Sequence, residues 1–375
     1  MKIVFICGSV EPGHDGVGDY TKLLALECIK DGHQAYIIAM NDPFISSVVD
    51  PEHSSVIDEV KITRLPASYN IETRLKIGKQ LIDTLNPDWI SLQFVIFAFH
   101  KKGIPLKFLT KLKGIGIGRK WHIMFHELWV GISETASTKH VIWGLAQRYL
   151  IKAMISQLKP KFISTQCRLY LSLLREIEIN AYHLPLFSNI LNQSKAEKIP
   201  KHHIMRSYDV SLVVFGTIHP EARIAQLIEH VIQYGNSNNK VVGLVLIGRC
   251  GGETNRWKSL WEEQGLPMQI LGEKPVAVIS EVLSSSDIGI SSSALPMIEK
   301  SGTVAAMIEH GLPVICVGQK WTPRDIEAPA APEGIFDISE DCIQKCLSYE
   351  IAEKRGTLSK VAKDLINELE KAGNL

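Results

Sequence analysis

The run 291–318, SSSALPMIEKSGTVAAMIEHGLPVICVG, constrains this chain more than any other stretch. It reads as a small-residue loop, a helix over residues 301–310 and a buried strand. Gly311 stands where a helix C-cap glycine belongs, and Pro313 follows because proline cannot continue the helix. Pro313-Val314-Ile315-Cys316-Val317 is a short apolar run suited to a parallel strand covered on both faces. At the front of the helix, Lys300-Ser301-Gly302-Thr303 sets two hydroxyls, a glycine and a cation around backbone N–H groups that lack helical partners. Such a start favours an anion, because amides and dipole act together. An ordinary Ser/Thr cap with a surface lysine would read the same way. Glu299 beside it turns the reading toward a nucleotide-sugar, since it adds an acceptor for sugar hydroxyls to donors for phosphate.

A chain of 375 residues exceeds one ordinary core and fits two α/β domains. With 45% hydrophobic and 22% charged residues and a net charge of +1, it has the composition of a soluble globular protein. Seven scattered cysteines show neither disulfide nor zinc spacing, so no metal site is expected. Met-Lys-Ile-Val-Phe-Ile-Cys-Gly reads as a first strand rather than a signal peptide, and no segment has the length of a membrane span. The expected location is cytoplasmic, with peripheral contact at the inner membrane face.

In chain order, residues 2–7 form a strand, GSVEPGHDGVGDYT a glycine-rich loop, 20–31 a helix and 33–40 a strand. The glycines Gly8, Gly13, Gly16 and Gly18 do not give G-x-G-x-x-G, so a nicotinamide site is not expected. The amides of Gly16, Val17 and Gly18 are expected at the carboxyl edge of the sheet, either as a ligand loop or as a permissive turn. Strands follow at 60–65, 89–94, 121–125 and 162–164, and His126-Glu127 falls just past the third of these. A histidine there either meets a donor sugar or its departing phosphate, or is structural. Residues 189–206 are polar and read as a linker. A second run of strands at 210–215, 242–247, 268–271 and 288–290 then ends in loops carrying Gly216, Gly248 and Gly272.

Charge is lopsided between His100 and Arg175: fourteen Lys and Arg face only Glu127 and Glu134, a local +12. The cations are mixed with apolar helix residues. This suits an anionic membrane face or a polyprenyl-diphosphate-type acceptor, or else a set of solvated basic faces. No nucleic-acid motif accompanies the charge.

These residues together resemble the retaining glycosyltransferases of the GT-B fold, in the GT4-like group that uses nucleotide-sugars. The resemblance rests on Gly16-Val17-Gly18-Asp19-Tyr20-Thr21, Phe125-His126-Glu127, the three strand-end glycines and Gly311-Leu312-Pro313-Val314. It implies two Rossmann-like domains facing a central cleft. The expected bounds are an acceptor domain 1–190, a linker 191–206, a donor domain 207–340 and helices 341–375 packing back toward the first domain. The implied catalytic residues are His126, Glu299 and Arg223. Lys300, Ser301, Gly302, Thr303, Thr217 and Arg249 would hold the diphosphate. Gly216, Gly248, Gly272 and Glu273 would meet the nucleotide. The donor would be a UDP-sugar and the acceptor a glycan or lipid-linked molecule, with no cofactor required. Two departures stand out: Thr217 replaces the group's usual arginine, and Met307 its second glutamate. A sugar-nucleotide epimerase on the same fold, or an inactive sugar- or polyanion-binding protein, are the alternatives.

Overall fold

The computed structural model describes residues 1–49, 60–192, 205–349 and 357–374. The chain divides into two compact units, Met1–Pro185 with Pro323–Ile326 and Leu358–Leu375, and Leu186–Thr322 with Glu327–Thr357. Residues 193–204 of the expected linker lie outside the described residues.

The first unit opens with β1 (Lys2–Cys7), α1 (Gly16–Lys30), β2 (Gln34–Asp42), β3 (Lys61–Pro66), α2 (Ile71–Leu85) and β4 (Trp89–Phe94). It continues with α3 (Leu106–Leu112), β5 (Lys120–Phe125), α4 (Thr138–Leu158), β6 (Phe162–Thr165), α5 (Arg168–Arg175) and β7 (Tyr182–His183). Its sheet runs in the order β3-β2-β1-β4-β5-β6-β7, with every pair parallel. The second unit holds β8 (Val210–Phe215), α6 (Ile224–Asn238), β9 (Val242–Ile247), α7 (Thr254–Glu262), β10 (Met268–Gly272) and α8 (Val276–Ser285). It is completed by β11 (Ile288–Ser291), α9 (Gly302–Glu309), β12 (Val314–Cys316), β13 (Ile335–Asp337) and α10 (Cys342–Leu347). Its parallel order, β10-β9-β8-β11-β12-β13, repeats the pattern of the first sheet. The last helix, α11 (Leu358–Gly373), packs on α1, whereas α10 belongs to the second unit. The tail 341–375 is therefore divided between the units.

Parallel strands read as continuous apolar runs because both faces are covered. In β8, Val210, Leu212 and Val214 pack toward α6, α7 and α10, while Val213 packs toward α8 and α9. β9 splits the same way, and Trp257 and Trp261 of α7 are fully buried. The seven cysteines are free and buried. Burial pushes the thiols of Cys250 and Cys316 up to about 11, so they sit in the core protonated and unreactive. Among the described residues no helix is long and apolar enough to cross a membrane. β7 and β13 are too short to show a period in sequence.

α1 begins four residues before its expected start because Asp15 caps it, accepting from Val17 N and Gly18 N at 3.0 Å each. Ser9 Oγ donates to the other carboxylate oxygen. Gly18 is required by contact: a Cβ there would lie 2.6 Å from Ser9 O and 2.8 Å from Val10 Cα.

A directed hydrogen-bond chain crosses β4, β5 and β6 inside the first unit. His126 Nε2 donates to Gln93 Oε1 (2.8 Å), and Gln93 Nε2 donates to Ser91 Oγ (2.7 Å). Ser91 donates to His122 Nδ1 (2.8 Å), and His122 Nε2 donates to Ser164 Oγ (2.8 Å). Ser164 in turn points its proton at the Met124 sulfur, 3.0 Å away. With Nδ1 accepting and Nε2 donating, every partner is satisfied only by neutral His122. Burial, reinforced by His126, lowers the His122 pKa to about 3 from its ordinary 6.5.

Two outcomes are expected from these contacts. Gly18→Ala should lower unfolding free energy by about 1–3 kcal/mol, the cost of forcing an atom against backbone. Gly16→Ala, which meets nothing within 4 Å, should be neutral or slightly stabilising; denaturant midpoints compare the two. For His122 the unfolded chain binds a proton between pH 6.5 and about 3 and the folded chain does not, so stability falls as pH drops through that window. This residue should cost about 2 kcal/mol at about pH 5 relative to neutral pH. His122→Gln should show that much less acid sensitivity in urea titrations.

Candidate functional site

The site in the second unit is built on glycines at strand ends. Gly216, Gly248 and Gly272 follow or end β8, β9 and β10 with φ of +80°, +87° and +64°, values that disfavour other residues. Gly216 N donates to Ile247 O at 2.9 Å and Gly248 N to Gly272 O at 2.8 Å, which holds the three turns side by side. Gly216 also lets α9 approach: a Cβ there would lie 2.7 Å from Thr303 Cγ2.

α9 starts at Gly302 behind a 3-10 turn, Leu295–Lys300. Ser301 caps it, accepting from Val304 N at 3.3 Å, and its hydroxyl lies 2.9 Å from that of Thr303. The amides of the first helical turn have no intrahelical acceptor, so Gly302 and Thr303 present N–H groups at a positive dipole end. They face a hollow of about 230 Å³ lined also by Thr217, His219 and Ser291–Ser293. A wider hollow of about 650 Å³ shares His219, Ser292, Ser293 and Ser301 with it and adds Lys300 and Gln319. Both open at the carboxyl ends of β8 and β11. There the strand order reverses, and open parallel sheets bind ligands at that point.

Of the expected diphosphate residues, Thr217, Ser301, Gly302 and Thr303 line the narrower hollow, and Lys300 and Ser301 line the wider one. Arg223 lines neither. Its guanidinium donates to Gly318 O (2.7 Å) and Cys316 O (3.2 Å) and pairs with Asp337, bracing the loop after β12. Arg249 forms an exposed ion pair with Glu273 at 2.9 Å. Neither pair lines the two hollows, nor does Glu299, half-buried in the 3-10 turn. Met307 is wholly buried, its sulfur against Gly289.

The structure adds His219, Ser292, Ser293 and Gln319. His219 N donates to Ser292 Oγ (2.9 Å), and that hydroxyl donates to Thr217 O (3.2 Å), locking the loops after β8 and β11 together. The signal available for them was position: a serine triplet directly after a strand, and a histidine three residues past a strand-end glycine.

In the first unit the expected ligand groups are engaged internally. His126 is 3% exposed, with Nε2 on Gln93 and Nδ1 at 3.0 Å from the Gln166 amide, and its ring forms a T-shaped pair with Tyr20, centroids 4.9 Å apart. The amides of Val17 and Gly18 are taken by Asp15, which corrects the expectation that they are available to a ligand. Gly13 N reaches Asp19, whose carboxyl is held above its ordinary pKa chiefly by burial.

No family model and no curated protein matches the sequence. Solved structures do match along the whole chain. Sucrose-phosphate synthase from Thermosynechococcus elongatus has a TM-score of 0.60 at 15% identity, covering 100% of this chain and 97% of its own. HepE from Anabaena, solved with UDP, has a TM-score of 0.56 at 12% identity, covering 100% and 98%. A Listeria monocytogenes protein described as a UDP-N-acetylglucosamine 2-epimerase has a TM-score of 0.58 at 10% identity, covering 99% and 96%. Likeness at these identities establishes the fold: two Rossmann-like units of the GT-B type.

Proposed function

We propose that the chain is a glycosyltransferase that moves a hexose from a UDP-sugar to a glycan or lipid-linked acceptor, in polysaccharide or glycolipid assembly, with retention of configuration. One observation carries this reading. Thr217 and Ser301–Thr303, distant in sequence, converge on one hollow at the switch point of the second sheet, beside Lys300. That grouping offers a diphosphate two free amides, three hydroxyls, a helix dipole and a cation. The solved complex of HepE with UDP supports the choice of nucleotide.

In this mechanism the bond between the anomeric carbon and the diphosphate oxygen breaks, and negative charge collects on the leaving group. The preorganised N–H groups and Lys300 stabilise that charge in place, where loss of one donor typically costs about 3 kcal/mol of barrier. Glu299, next to Lys300 but outside the lining of both hollows, is assigned to the sugar hydroxyls on the family resemblance alone. Arg223, expected to be catalytic, is held by Gly318, Cys316 and Asp337, and His126 by Gln93 and Gln166, so neither contacts the donor in this scheme. No metal or cofactor is needed for this scheme. The first unit would serve the acceptor. The epimerase reading draws support from the Listeria structure, and epimerised product from a UDP-sugar without acceptor would favour it.

UDP or a UDP-sugar should raise the melting temperature, since a ligand bound only by the folded state stabilises it, whereas GDP and ADP should do so less. No shift with any nucleotide would defeat the reading. A Cβ on Gly302 meets nothing within 4 Å, so Gly302→Val should melt like the wild type. The new side chain would stand where the phosphate is proposed to lie, and UDP affinity should fall more than about tenfold (~1.4 kcal/mol). Glu299→Ala should keep UDP binding and lose transfer; unchanged turnover would remove Glu299 from the site.

A further inference from the structure

α4 is an outlier among the helices of the first unit. Its inward face carries Gly144, Gln147, Leu150, Ile151, Met154 and Leu158. Its outward face is apolar as well: Ile142 is 63% exposed, Leu145 54% and Tyr149 74%, on successive turns. A surface helix of a globular unit normally turns charged or polar residues outward. No Asp or Glu occurs anywhere in its 21 residues. Clustered exposed apolar residues of this kind mark an interaction surface.

The surroundings identify the chemistry of the partner. Lys139 precedes Ile142 by one turn and is exposed. The turn before α3 is tied to the same helix, because Trp143 Nε1 donates to Lys102 O (2.9 Å) and Gln147 Nε2 to Gly103 O (3.1 Å). That places the exposed Lys101 and Lys102 alongside α4. The next helix, α3, adds exposed Leu106 and Lys107. Among the described residues Lys101, Lys102, Lys107 and Lys139 enter no ion pair; Lys152 lies 4.0 Å from Glu178, and Lys111 pairs with Glu72.

We propose that the outward face of α4, with the basic turn before α3, docks the first unit on an anionic lipid bilayer. Ile142, Leu145 and Tyr149 enter the headgroup boundary while the lysines around them meet lipid phosphates. A helix lying in the interface needs both parts, apolar side chains to insert and cations to hold it there. A second copy of the same face would bring like charges together, which disfavours self-association as the role of the patch.

Co-sedimentation of the full chain with phosphatidylcholine vesicles, with and without about one-third phosphatidylglycerol, tests this without any nucleotide or sugar. Failure here therefore leaves the glycosyltransferase reading untouched, and failure of that reading leaves this one standing. Binding should be about tenfold or more tighter to the anionic vesicles and should weaken strongly between about 0.1 M and about 0.5 M salt. Combined Ile142→Ser, Leu145→Ser and Tyr149→Ser should abolish it with an unchanged circular-dichroism melt, because these side chains are exposed. Lys101→Glu with Lys102→Glu, outside any helix, should lower it about tenfold or more. The proposal is overturned by equal binding to both vesicles, by no binding, or by wild-type binding in both variants. It is equally overturned if the serine variant converts a dimer to a monomer in analytical ultracentrifugation.

Discussion

The parallel pairing of β11 with β8, Ile288 against Leu212 through Ile290 against Val214, governs the second unit. The chain builds outward from β8 through β9 to β10, then crosses back to lay β11 on the other side of β8. The loops leaving β8 and β11 therefore part in opposite directions, and the hollow is the space between them. Two small contacts keep it in shape. Ser292 hydrogen-bonds the loop after β8 on both sides of Ile218, and Gly216 admits Thr303 to a distance that no Cβ would allow. The helix start then presents its amides to the hollow instead of burying them in side chains.

The first unit has the same strand order and a different outcome at its edge. Between β1 and β4 the space is filled by the turn after β4: a Cβ on Gly8 would meet Ala98 Cβ at 2.7 Å, and Asn41 Nδ2 donates to Ala98 O at 2.7 Å. The first amides of α1 go to Asp15. Leaving a buried amide without an acceptor costs about 1–3 kcal/mol, so a fold that closes this edge must supply one, and Asp15 does. One topology thus yields an edge whose donors remain available and an edge whose donors are satisfied from within.

Charge is economical at the open edge. Arg223 and Arg249 look in sequence like cations for a diphosphate, but carbonyls of the loop after β12, Asp337 and Glu273 hold them. Lys300 lines the wider hollow, and the N–H groups and hydroxyls beside it are fixed by the backbone. Neutral donors of this kind need no counter-charge of their own.

Periodicity and glycine placement made the architecture legible in the sequence. The central strands β1, β4, β8 and β9 are covered on both faces and appear as largely apolar runs, and positive φ at Gly216, Gly248 and Gly272 leaves glycine as the residue that fits. The local grouping Lys300-Ser301-Gly302-Thr303 was equally readable, because a helix start is defined by a few adjacent residues. What could not be read were relations across the chain. That His219 and Ser292 join the site, that Arg223 turns to Asp337, and that His126 is sealed by Gln93 and Gln166 all depend on distances between residues far apart in sequence. Local sequence determined which groups are able to carry chemistry. Only tertiary packing decided which of them remain open to a ligand, because a hydrogen-bonding group close to an internal partner is satisfied by it first.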